Sequence, residues 1–128
     1  MTNTRGGRKV ASDNAMDLII PIVPEGEPET SRPDPDRVVS GDPVHRTWSQ
    51  EDRDGIFAGI WESTPGAWRI SYVEWEYCRI LFGTSILHPD GGRPMTVQAG
   101  DSFVIRPGFT GIWEVLETTR KDYVIRLP

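Results

Sequence analysis

The sequence predicts an all-β fold: a single-domain antiparallel β-barrel, or jelly roll, entered by an extended N-terminal arm. Three observations carry that expectation. Short segments rich in Val, Ile, Trp and Tyr recur at roughly ten-residue spacing toward the C-terminus, punctuated by Pro and Gly. No window holds a helical period long enough to trust. The 128 residues suit one domain with one core and one cavity. Short, closely spaced strands in so small a domain leave exposed edges unless the sheet closes on itself, so a closed or nearly closed barrel is the expected solution.

The elements follow in order. Residues 1–15 carry Gly, Asn, Ser and Thr with almost no apolar periodicity and are expected to be a disordered tail. Residues 16–42 form an arm and a Pro-rich linker. Within them Asp17-Leu-Ile-Ile-Pro-Ile-Val23 is an apolar arm or edge strand, because Pro21 removes a ladder donor. The arm packs either on its own core or on a neighbouring subunit. Pro24 to Asp42 is expected to be loop. The barrel is expected over 43–128. Its strands are Val44–Ser49 and Ile56–Ser63 around a charged turn, then Ala67–Val73, Tyr77–Phe82, Thr84–His88, Met95–Gln98, Ser102–Ile105, Gly111–Glu117 and Asp122–Leu127.

Composition narrows the partners. With 14 Lys and Arg against 19 Asp and Glu the net charge is -5, and no basic stripe tracks a phosphate backbone, so nucleic acid is not an expected partner. The longest apolar run is too short to span a membrane and no basic-then-apolar leader is seen, which predicts a cytoplasmic protein with no membrane partner. The lone Cys78 excludes an intramolecular disulfide and a Cys-based zinc site, and reads as a small core hydrophobe. Five Trp are many for this length, and aromatics of this kind fill cores and line ligand pockets.

Glu76, six residues and Gly83, followed by Gly100-Asp101, Phe103-Val-Ile and Pro107-Gly108, resembles the two motifs of the cupin superfamily. The match spans about residues 56 to 127. More narrowly, Gly66-x-Trp-Arg, Glu76, Gly100-Asp101, Pro107-Gly-Phe-x-Gly-x-Trp113-Glu and Arg120-Lys-x-Tyr-Val-Ile looks like the small single-domain group related to (S)-ureidoglycine aminohydrolase and the ethanolamine-utilisation Q protein. The resemblance implies a cupin barrel, often a homodimer. It also implies a metal held by three histidines and one glutamate. Carried over residue by residue, the histidine positions fall at Ile70 and Tyr72, or at Arg69 and Ser71, and at Gly111. Only Glu76 remains, so no metal and no other cofactor is expected. His45 and His88 lie outside the motif positions.

Strand alternation turns Ile70, Tyr72, Glu76, Cys78 and Ile80 to the barrel interior, with Arg106 and Trp113 entering from opposite strands. Glu76 and Tyr72 are the candidate catalytic residues. Arg106, Trp113, Trp68, Glu74 and Lys121 are the candidate ligand-binding residues. In the alternative reading Glu76 forms a structural ion pair with Arg106 or Arg69, Tyr72 is a core tyrosine and the tryptophans fill volume. Asp101 is expected to cap a turn, and Lys121 to lie at a strand end. Three functions follow: a metal-independent cupin binding a small polar metabolite, a hydrolase or isomerase of the ureidoglycine-aminohydrolase kind, or a structural or dimerisation module.

Overall fold

A computed structural model describes residues 18–128; the expected tail, 1–15, lies outside the described residues. The described chain is nine β-strands and one short 3₁₀ turn, all strand pairings antiparallel. They are β1 (Glu29–Ser31), β2 (Val38–Gly41), β3 (His45–Arg53), β4 (Ile56–Ser63), β5 (Gly66–Ser71), β6 (Trp75–Pro89), β7 (Met95–Gln98), β8 (Ser102–Ile105) and β9 (Thr110–Arg126), with the 3₁₀ turn at Pro35–Arg37.

Two long strands organise the rest. β9 pairs β6 along one side from Gly111 to Arg126, and along the other side it pairs β5 with its first half and β4 with its second. β6 likewise pairs β8 with its first half and β7 with its second. A bent two-strand ribbon thus passes from one layer of the jelly roll into the other. The expected breaks at Gly83 and between Glu117 and Asp122 are corrected here: the chain stays paired through both. The bend is made instead by register shifts between Ile80 and Ser85. Gly83 sits inside them at φ +91, and the Cβ of any other residue would lie 2.0 Å from the Thr118 carbonyl oxygen.

The Pro-rich segment also differs from expectation. β1 and β2 form within it and pair β3 and β5. The charged stretch Glu51-Asp-Arg is likewise strand, the turn being Asp54-Gly55 alone. The arm itself, residues 18–23, makes no strand. It is tied to β3 by the side chains of Gln50, which donates to the Val23 carbonyl at 2.7 Å, and Trp48, which donates to the Gly26 carbonyl at 3.0 Å. Leu18 and Ile19 remain 85% and 88% exposed.

The core lies between the layers, where Trp68, Cys78, Leu87, Ile105, Trp113 and Val115 pack together. Trp113 is fixed by a buried hydroxyl network. Its Nε1 donates to Ser85 Oγ at 3.1 Å, and Ser85 Oγ lies 2.8 Å from Thr119 Oγ1.

Candidate functional site

A cavity of about 290 Å³ opens above this core, in the size range of sites for small ligands. Strand periodicity builds it. Trp61 on β4, Trp68 and Ile70 on β5, Glu76 on β6, and Trp113, Lys121 and Tyr123 on β9 all face inward, and all line it. Tyr72 and Glu74 close it from the β5–β6 connection, and His45 from the start of β3. A second depression of about 290 Å³ continues it outward past Tyr72 and Glu74 to Asp34 and Arg37. The Pro-rich segment therefore overhangs the mouth.

At the floor lies a buried polar cluster. Lys121 Nζ is 3.0 Å from Glu76 Oε2 and 3.5 Å from Cys78 Sγ, and Tyr72 donates its hydroxyl to Glu76 Oε1 at 2.5 Å. The Lys121 ammonium also lies 4.6 Å from the Trp61 ring and 4.4 Å from the Trp113 ring, within cation–π range of both. Burial opposes the charge on Lys121. The Cys78 sulfur and the Glu76 carboxylate outweigh that opposition, so its pKa stands above the ordinary lysine value. Burial, then the charge and hydrogen bond of Glu76, push the Tyr72 phenol far upward. Burial raises the Cys78 thiol to about 12, in spite of the neighbouring ammonium. At neutral pH the Tyr72 phenol, the Lys121 ammonium and the Cys78 thiol thus keep their protons around Glu76.

His45 completes the wall. Its ring lies 4.6 Å from Trp68 and 5.2 Å from Trp61, and its Nε2 is buried with no hydrogen-bond partner. Burial, reinforced by the charge of Lys121, lowers its pKa to about 4, so the imidazole is neutral at physiological pH.

Six of the seven residues proposed from sequence meet here: Glu76, Tyr72, Trp113, Trp68, Glu74 and Lys121. Arg106 does not. Ile105 is the last inward residue of β8, so Arg106 turns out and is exposed. It borders a different crevice of about 590 Å³ with Arg93, Phe103 and Phe109. Nor does either arginine pair with Glu76, since Arg69 is bound to Asp90. The buried cation is Lys121, in the interior of β9 rather than at a strand end. His45, which the sequence leaves open between a cavity and the solvent, and Trp61 are not among the seven, because their separation from Glu76 in sequence hides their proximity. The one available signal for both was the inward phase of β3 and β4. His88, the other histidine outside the motif positions, is half-buried and lies 2.8 Å from Glu114. Asp101 caps its turn by accepting from the Gln98 amide at 2.9 Å.

The residues present do not fit a metal centre. Among the described residues no three His, Cys, Asp or Glu side chains converge. The position at Gly111 cannot take a histidine on this backbone, because a Cβ there would lie 2.3 Å from the His88 carbonyl oxygen. Lys121 instead supplies the positive charge opposite Glu76.

The family model described as EutQ-like cupin domain matches residues 51–123. Among solved structures, a protein of unknown function of the DUF861 family from Pseudomonas syringae pv. tomato aligns with a TM-score of 0.73 and 23% identity, over 81% of this chain and 46% of its own. The EutQ protein of Clostridium difficile aligns with a TM-score of 0.60 and 20% identity, over 66% of this chain and 63% of its own. A putative ethanolamine utilization protein Q from Salmonella typhimurium aligns with a TM-score of 0.60 and 17% identity, over 80% and 97%. At these identities the likeness is one of fold. The chain spans about half the length of the first of these structures and less than two thirds of the second. No curated protein matches the chain.

Proposed function

From the premise that the chain belongs to the EutQ-like cupin domain family, we propose that it binds a small polar metabolite inside its barrel without a metal. The observation that supports this reading is the cavity over the Lys121–Glu76 pair, with tryptophan faces on its walls and hydrogen-bonding groups at its floor. A barrel serving only as a structural module fills its interior with side chains, and this one does not. In the proposed site Lys121 and Tyr72 orient polar atoms of the ligand, Glu76 holds both donors in place, and Trp61 and Trp68 flank its body. The protein acts in the cytoplasm, and two copies associate through their apolar arms.

The protonation pattern counts against nucleophilic catalysis. An enzyme of the hydrolase or isomerase kind would use Glu76 and Tyr72 as its acid and base. The Tyr72 phenol, the Cys78 thiol and the Lys121 ammonium all keep their protons at neutral pH and therefore serve as donors rather than as nucleophiles.

The test is a thermal-shift screen of amines, amides, amino acids, organic acids and sugars against the wild type and Tyr72→Phe. At least one compound should raise the wild-type melting temperature and raise that of the variant less. A panel that moves neither protein would sink the binding reading.

A further inference from the structure

The floor and the wall of the cavity each have one hydrogen-bonding position left over. Lys121 has three N–H groups. Glu76 Oε2 and Cys78 Sγ face two of them, leaving one for the cavity that Lys121 lines. Both Glu76 oxygens are engaged, one by Lys121 and one by Tyr72. On the wall, His45 Nε2 is buried and unpartnered. An orphaned polar atom of this kind costs free energy that a correctly placed ligand group recovers. Trp61 connects the two positions, its ring 4.6 Å from Lys121 Nζ and 5.2 Å from the His45 ring centroid.

The charges around these positions decide what fills them. Lys121 and Glu76 balance each other, and Glu74 adds a negative charge among the lining residues. An anionic ligand at Lys121 meets the Glu76 carboxylate beside it and Glu74 in the same wall. A cationic ligand meets the Lys121 ammonium. An uncharged group that accepts at one atom and donates at the next meets neither obstacle.

Building on the binding reading above, we infer that the site selects an uncharged planar group of the carboxamide class. Its oxygen accepts from Lys121, its N–H donates to His45 Nε2, and its plane lies against Trp61. His45 is then a specificity-determining residue. A neutral carboxamide uses both free positions at once, whereas a carboxylate of the same shape lacks the N–H and an amine lacks the acceptor.

Benzamide, benzoate and benzylamine share one ring and differ in the polar group, which is neutral, anionic or cationic at pH 7. They are titrated into the protein by calorimetry. Benzamide should bind at least tenfold more tightly than the other two, and His45→Phe should remove that preference. The double variant Glu76→Gln with Lys121→Met, which deletes the charge pair, should remove it as well, and circular dichroism checks that both variants are folded. Benzoate or benzylamine binding as tightly as benzamide, or an unchanged preference in folded His45→Phe, overturns the inference and leaves the binding reading standing. So does a hit from the metabolite panel together with no binding of benzamide. Silence from the panel and all three probes overturns both.

Discussion

Lys121 and Glu76 are buried together, and the two cannot be treated separately. An unpaired ammonium at this depth costs several kcal/mol, while replacing a whole buried pair by apolar or neutral groups is often close to neutral. Glu76→Gln should therefore lower the unfolding free energy by about 3–5 kcal/mol, a large part of the ~5–15 kcal/mol typical of such a domain. Adding Lys121→Met should restore most of it; urea unfolding of both variants is the measurement. His45 supplies a pH signature. Its folded-state pKa of about 4 lies below the ordinary 6.5, so the unfolded chain takes up the proton first as pH falls. Stability should drop from about pH 6.5 toward pH 4, and the drop should be smaller in His45→Phe when melting temperatures at pH 7.5 and 5 are compared. At this scale the site was largely legible. Alternation by two brought Glu76 and Cys78 to one face, Tyr72 reaches them from the β5–β6 connection, and Trp68 and Trp113 are directly opposed across β5 and β9. Arg106 was misplaced because the inward phase of β8 ends one residue before it. The sequence left His45 open between cavity and solvent because only tertiary contact brings the start of β3 to Trp61 and Trp68.

Among the elements, β6 and β9 depart most from the sequence reading. Gly83 reads as a strand terminator, yet here it is the point at which two layers share one strand. Glycine can end a ladder or let a neighbouring backbone come close, and only the partner strand decides which. Gly83→Ala should therefore cost well over the ~1–2 kcal/mol of a left-handed residue, because the Thr118 carbonyl blocks the added methyl at 2.0 Å. Gly91→Ala, also at positive φ but with nothing within 4 Å of its Cβ, should cost only the backbone amount. Thermal melts of the pair separate strain from collision. The short strands β1 and β2 escaped notice for a related reason. Their sequences, Glu-Thr-Ser and Val-Val-Ser-Gly among prolines, have no alternation of their own, and they are strands only because β3 and β5 offer them edges.

For the whole molecule, the all-β class and the antiparallel pairing were legible because segment spacing and tight turns are local signals. The overhang of the Pro-rich segment at the cavity mouth was not, since it depends on where the chain returns after β1. The arm bears on association. Leu18 and Ile19 present apolar surface to solvent although the chain just beyond them is anchored to Trp48 and Gln50. If two copies meet through this arm, light scattering should give twice the 14.4 kDa chain mass, and Leu18→Ser with Ile19→Ser should shift the population toward the single chain. A monomeric wild type would remove the arm's proposed role.

The close approach of Gly111 to the His88 carbonyl also has an evolutionary side. Histidines at 70 and 72 lie one substitution each from the present sequence, whereas a side chain at 111 demands that β6 and β9 first move apart. A protein with this backbone cannot acquire a three-histidine centre by point changes alone. Selection acting on the cavity is left to vary what surrounds an internal ammonium, and new specificities should arise at positions such as 45, 61 and 74 rather than by the gain of a metal.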